Sequence, residues 1–228
     1  ARFDHWRWCE KSLPVRSSNY EEIEEAKLKM TRNILNKINE KKIDRIIISS
    51  SDLISNLTSL TPEIRKAVDK IATCLNNGKK IILFGNGGSA ADAQHIAAEL
   101  IGKFKLKRQS YPALALTSNT SIITAISNDF SFTSSFSRQC ESLVSNNDVV
   151  IGISTSGKSA NVRKALLVSK KKGAYTIGLL GNGGGSIKKI VDASLVVESN
   201  STPRIQEAHR VIYHIICEQV EEILEKSN

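Results

Sequence analysis

The sequence is short of the features that mark a metal knuckle, a membrane span or a nucleic-acid module. Its four cysteines, Cys9, Cys74, Cys140 and Cys217, are widely scattered with no C-x-x-C pair. That spacing argues against a zinc knuckle or a redox motif and in favour of buried or idle thiols. Aromatic residues make up only 5% of the 228 positions, and no recognition-module signature accompanies the net charge of +9. The densest basic stretch, Lys103, Phe104, Lys105, Lys107 and Arg108, therefore reads as a solvated surface, and no nucleic-acid partner is expected. Apolar runs at 81–84, 149–153 and 175–180 fall far short of the ~20 residues of a membrane span. The first residues also lack the apolar stretch of a signal peptide, so a cytoplasmic protein with no membrane partner is expected. There is no internal repeat and no low-complexity linker to mark off a second large domain.

What is present is enough apolar content, 40%, to bury a sizeable core. Residues 1–19, which begin with Ala1 and carry Trp6 and Trp8, show no periodicity and read as an extension of unknown role. Residues 20–60 form a helical segment in which Ile23, Ala26, Met30, Ile34 and Ile38 recur at helical spacing through about Lys42. Within it, Ile46 to Ser51 fits a helix or a strand equally well. The main domain, 61–228, opens with Thr61-Pro62-Glu63, a helix start, and that helix runs to about Leu75 before Asn76-Asn77-Gly78 stops it. Strands follow near 81–84, 113–117, 149–153, 175–180 and 193–198, with helices between them and a long last helix from about 204 to 225. This alternation predicts an α/β fold in three layers: a parallel sheet of about five strands with helices on both faces. Ligands of such sheets bind beyond the carboxyl ends of the strands.

Two polar loops fall at those ends. The run Ile81 to Phe84 opens into Gly85-Asn86-Gly87-Gly88-Ser89 and then a helix, a combination that presents backbone N–H groups and a favourable dipole to an anion. The loop Ser154-Thr155-Ser156-Gly157-Lys158-Ser159 follows Val149 to Ile153 and offers hydroxyl donors to phosphate oxygens, its alternative role being a plain helix cap. Gly85-x-Gly87-x-x-Ala90 matches the dinucleotide fingerprint, but the second strand ends in Thr117-Ser118-Asn119 with no acid for a ribose. Gly152-x-x-x-x-Gly157-Lys158-Ser159 matches the Walker A expression, yet its first glycine lies inside the apolar run and no strand ends in an aspartate for magnesium.

His95 and Glu99, spaced by four, project from one helix face, as a solvent-facing pair or as acid/base chemistry behind the anion loop. The last helix supplies Gln206, Arg210 and His214 at intervals of four, and also His209; periodicity does not choose between the two histidines. Glu99 facing a histidine suits proton abstraction beside a carbonyl, and a His/Glu/Gln/His set also suits a divalent metal. Asn128 and Asp129 bind sugar hydroxyls or merely cap a helix.

Taken together, Phe84 to His95, Ser127-Asn128-Asp129-Phe130, Gly152 to Gly157 and Pro203-Arg204-Ile205-Gln206-Glu207-Ala208-His209 resemble the phosphoheptose isomerases, sugar isomerase (SIS) domain enzymes with a flavodoxin-like sheet. The resemblance covers roughly residues 60–225. It implies conversion of sedoheptulose 7-phosphate to D-glycero-D-manno-heptose 7-phosphate through an enediol, in heptose synthesis for the cell envelope. It implies that Ser154, Thr155, Ser156 and Ser159 hold phosphate, that Asn86, Gly87, Gly88, Ser89, Glu99 and Gln206 contact substrate, and that Asn128 and Asp129 bind the sugar chain. Glu99 and His214 become the acid/base pair, and His95, Glu99, Gln206 and His214 the ligands of one zinc per site. A homotetramer with pockets between subunits is also implied. Lys103 stands where some members carry arginine, keeping the charge without the bidentate geometry. The rival readings are a non-catalytic SIS scaffold that binds a replication initiator protein, and another sugar-phosphate isomerase.

Overall fold

A computed structural model of the chain describes residues 18–35 and 39–226. The extension with Trp6 and Trp8, and Ile38 of the first helical pattern, lie outside the described residues. The helix expected from Tyr20 to about Lys42 is instead two, α1 (Ser18–Leu35) and α2 (Glu40–Ser55). The cause is local: the Asn39 side chain accepts from Lys42 N at 3.1 Å, capping a fresh helix at Glu40. The ambiguous run from Ile46 to Ser51 lies inside α2. The chain divides between Ile47 and Ile48 into two compact units.

The second unit carries the sheet. Its strands are β1 (Ile81–Gly85), β2 (Ala113–Ala115), β3 (Val149–Ser154), β4 (Tyr175–Gly181) and β5 (Ala193–Val197), all parallel, in the order β2-β1-β3-β4-β5. The helices are α3 (Thr61–Asn76), α4 (Gly88–Ile101), α5 (Thr120–Asp129), α6 (Ser137–Leu143), α7 (Ala160–Lys171) and α8 (Thr202–Lys226). β2 is shorter than the pattern predicts because Thr117 leaves the strand, its hydroxyl donating to Ala90 O at 3.2 Å.

Side chains of the central strands alternate between two buried layers, which is why these strands read as unbroken apolar runs. Ile81, Leu83, Val149, Ile151, Ile153, Ile177 and Leu179 pack with buried residues of α3, α4 and α8, whereas Ile82, Phe84, Val150 and Leu180 pack with those of α6 and α7. Each fully buried side chain here contributes about 1.5–3 kcal/mol over an exposed one. Gly152 belongs to this packing and not to a nucleotide loop. A Cβ there would lie 2.7 Å from Leu166 Cδ1 and 2.9 Å from Val162 Cγ1, so α7 can seat on β3 only over a glycine.

The strand order makes a switch point: from β1 the chain crosses to β2 on one side, and β3 pairs on the other. A crevice therefore opens between the carboxyl ends of β1 and β3, where both polar loops emerge. Among the described residues no helix is long and apolar enough to cross a membrane.

Candidate active site

The glycine loop is tied to the first turn of α7, just after the serine loop, by a pair of amides. Asn86 Nδ2 donates to Asn161 Oδ1 and Asn161 Nδ2 donates to Asn86 Oδ1, each at 2.9 Å. Ser89 is buried and its N–H bonds Asn86 O at 3.0 Å, which closes the turn into α4. On the serine loop the Ser154 hydroxyl is 2.9 Å from that of Ser159 and 3.5 Å from that of Ser156. Ser159 stands at the N-cap of α7, yet its side chain accepts no helix N–H. The capping alternative is therefore not realised, and these hydroxyls stay grouped at the N-terminal end of α7, a favourable place for an anion. Gly157 turns the loop with φ +63°, and a Cβ there would lie 2.2 Å from the Gly184 carbonyl carbon. The loop is thus backed by the glycines that follow β4, a contact with no counterpart in the sequence reading.

The other side of the crevice is built by α4 and α8. His95 Nε2 lies 2.9 Å from Glu99 Oε1, the approach that the spacing of four predicts. His214, on α8, brings its ring to 5.2 Å from that of His95 at an interplanar angle of 80°. One ligand atom from each of His95, Glu99 and His214 lies within 4.8 Å of the others. Burial holds the His214 pKa below its ordinary value of 6.5, reinforced by His95 and opposed by Glu99. Gln206 joins from one end of α8: its amide lies over Gly88, where a Cβ would come within 2.3 Å of Nε2. The glycine loop therefore touches α7 through Asn86 and α8 through Gly88.

His209, the other histidine on α8, is fully buried with Nε2 3.0 Å from Leu180 O, anchoring the helix to the end of β4. Burial pushes its pKa down to about 4, the backbone carbonyl opposing, so the ring stays neutral. Asn128 donates to Asp129 Oδ1 at 2.9 Å on the exposed end of α5, and among the described hydrogen bonds none ties this pair to His95 or Glu99. Lys103 is exposed.

Tyr213, Asp92 and Glu221, to which the sequence assigned no role, complete the surroundings together with Arg210 and Arg108. The Tyr213 hydroxyl lies 2.9 Å from His95 Nδ1, and Arg210 Nε donates to it at 3.0 Å. Asp92, one turn before His95, is 3% exposed, and burial raises its pKa against the pull of Arg210. Glu221, 2% exposed, accepts from the N–H groups of Phe104, Lys105 and Leu106 at 2.8–3.2 Å and from Arg108 Nε at 2.8 Å. Burial alone would raise this carboxyl, but those donors hold it below the ordinary carboxylate range. Arg108 also donates to the carbonyls of Glu99 and Leu100 at 2.9 and 3.0 Å, ending α4. The basic stretch is thus strapped onto α8, and Phe104 reaches the His214 ring at 5.8 Å.

The donor set fits a divalent metal. A tetrahedral zinc with bonds of about 2.0–2.1 Å holds its ligand atoms about 3.4 Å apart. The 2.9 Å contact and the 4.8 Å outer limit of the cluster bracket that spacing.

Residues 47–181 match the SIS domain family. The phosphoheptose isomerase of Geotalea daltonii is 55% identical over 165 residues, 72% of this chain and 86% of that protein. Among solved structures, the phosphoheptose isomerase of Neisseria gonorrhoeae superposes with a TM-score of 0.76 at 37% identity, over 80% of this chain and 98% of that one. That of Francisella tularensis gives 0.78 at 32% identity, over 81% and 100%. A crevice at the switch point of a five-stranded parallel sheet, two loops suited to an anion and a carboxylate grouped with imidazoles agree with these likenesses: the chain belongs to the phosphoheptose isomerases, sugar-phosphate isomerases of the SIS domain family.

Proposed function

We propose that the protein interconverts sedoheptulose 7-phosphate and D-glycero-D-manno-heptose 7-phosphate, in heptose synthesis for the cell envelope and in the cytoplasm. The observation that carries this reading is the grouping of the Glu99 carboxylate with the His95 and His214 rings, their ligand atoms within 4.8 Å of one another. Ser154, Thr155, Ser156 and Ser159 hold the phosphate with the N-terminal N–H groups of α7, fixing the far end of the sugar. Asn86, Gly87, Gly88, Ser89 and Gln206 line the path toward Glu99, and Asn128 with Asp129 binds the sugar hydroxyls.

The chemistry is a proton transfer between adjacent carbons. Glu99 takes a proton from C1 of the ketose, the C1–H electrons forming the C1–C2 double bond of an enediol as the C2 carbonyl oxygen gains a proton. Return of the carbon-bound proton to C2 and loss of the O1 proton give the aldose. His214, held toward its neutral form by burial, carries the proton between O1 and O2. His95, Glu99, Gln206 and His214 would hold one zinc ion, which when bound supplies Lewis-acid polarisation of the sugar oxygens. Exposed Ile43, Ile46, Ile47 and Ile48 on α2 support burial of this helix between copies of the chain, in a homotetramer whose pockets lie at subunit boundaries.

An NMR time course with sedoheptulose 7-phosphate, before and after chelation and with zinc restored, tests the reading. The aldose heptose phosphate should appear, disappear on chelation and return with zinc. No turnover in any state, or a clear preference for a hexose phosphate, would overturn it.

A further inference from the structure

Asp92 is buried one turn before His95, and the proton transfers above make no use of it. Its Oδ1 lies 3.4 Å from the Tyr213 hydroxyl and 3.5 Å from Arg210 Nη2, while its Oδ2 has no hydrogen-bond partner among the described residues. Tyr213 is itself 1% exposed, and its hydroxyl is 2.9 Å from His95 Nδ1. Burying a carboxylate with one oxygen unengaged is costly, and an apolar side chain would fill the space without that cost.

Counting protons gives the arrangement a purpose. A phenol hydroxyl has one hydrogen and two lone pairs. Arg210 Nε–H occupies one lone pair, which leaves one lone pair and the hydrogen for two neighbours, His95 Nδ1 and Asp92 Oδ1. As a carboxylate Asp92 only accepts, so the hydrogen can go to Asp92 and leave the lone pair for Nδ1. Glu99 also only accepts, so its 2.9 Å contact needs a proton on Nε2 while no cation is there; a cation on Nε2 needs the ring proton on Nδ1, where the Tyr213 lone pair can receive it. Without Asp92 the hydroxyl would donate to Nδ1 instead. The ring proton would then be held on Nε2, bonded to Glu99 and in the place of a cation.

We propose that Asp92 and Tyr213 are positioning residues that let His95 take its Nδ1–H tautomer, the one in which Nε2 can exchange its contact with Glu99 for a divalent cation shared with Glu99 and His214. The inference rests on the metal reading of that cluster. It places the reason for a buried acid and a buried phenol in the aim of one imidazole, the role that outer carboxylates play for metal-binding histidines.

The test is zinc affinity, measured on the full-length protein by competition with a chromogenic chelator. Tyr213→Phe and Asp92→Ala should each bind zinc about 10–100-fold more weakly. The double variant should bind no more weakly than the worse single, because Asp92 acts through Tyr213. Asp92→Asn keeps an acceptor oxygen and should stay within a few-fold of the parent. NMR of the zinc-loaded parent should show a hydrogen-bonded His95 Nδ1 proton, and Tyr213→Phe should lose it, a signature that general loosening of the fold does not produce. If Tyr213→Phe does not fold, Asp92→Ala and the parent's Nδ1 proton still decide the matter. Unchanged zinc affinity in Tyr213→Phe, losses that add in the double variant, or no protected Nδ1 proton would overturn the inference while leaving the metal site intact. A parent protein that takes up no zinc would overturn both.

Discussion

Asn86 and Asn161 exchange two side-chain hydrogen bonds across the crevice between β1 and β3, each 2.9 Å long. They join the glycine loop to the first turn of α7, 75 residues on in sequence, so the place of α7 and of the serine loop before it is set by a side-chain contact as well as by the sheet. Asn161→Ala leaves both amide groups of Asn86 without partners, at a cost of about 1–3 kcal/mol. Asn86→Ala should cost a similar amount and the double variant little more than either, because the two act as one unit. Urea unfolding of the three variants checks this, and additive losses would show that the pair is not coupled.

Glu99→Gln keeps the shape of the side chain and removes its basicity. Turnover should fall by at least about 100-fold, the scale of a lost general base, while binding of inorganic phosphate stays near that of the parent. Retention of full activity would exclude Glu99 as the proton carrier. Isothermal titration with phosphate beside the NMR assay separates the two effects.

Ser154→Ala removes the hydroxyl at the centre of the Ser154, Ser156 and Ser159 group. A ground-state phosphate contact predicts a KM raised about 5- to 30-fold, the worth of roughly 1–2 kcal/mol, with kcat little altered. A change confined to kcat would move this loop from anchoring to chemistry.

His209 links stability to acidity. Its ring takes a proton near pH 6.5 in the unfolded chain but resists until about 4 when buried. The unfolded state therefore binds more protons in that window, and stability that is complete above pH 6.5 is lost as the pH falls toward 4. At pH 5 the loss from this group should be about 2 kcal/mol. His209→Gln retains an N–H donor for the Leu180 carbonyl and should flatten the profile. Denaturant titrations at pH 7 and pH 5 decide whether the parent's acid sensitivity resides here.

The sheet was legible because parallel central strands, buried on both faces, leave unbroken apolar runs such as Ile81 to Phe84. His95 with Glu99 was legible because a spacing of four fixes neighbours on a helix. Element ends were less so wherever a side chain decided them: Asn39 begins α2 where the apolar spacing runs on, and Thr117 ends β2 early. The histidines of α8 were beyond periodicity, since His209 and His214 differ in what α8 packs against and not in local pattern. Tyr213 left no signal, and Asp92, inside the Phe84 to His95 run, none that marks it as buried or as a neighbour of α8. They meet only because α4 packs on α8, 121 residues later, and either alone reads as an ordinary core or surface residue. The exposed positions of Asn128 and Asp129 likewise depend on contacts that local pattern does not encode.

The strap from Phe104 to Arg108 changes what the chain's charge means. A formal excess of +9 suggests a surface that would gather any polyanion. Yet Arg108 is consumed inside, against Glu221 and the last carbonyls of α4, and Lys105 reaches Glu218 at 2.5 Å. The net charge already counts Glu218 and Glu221, so these pairs leave the total unchanged, but they make part of the most cationic segment a latch and not an open patch. For the isomerase proposed above, selection of a sugar phosphate would then rest on the fit of the two loops more than on the charge of this segment.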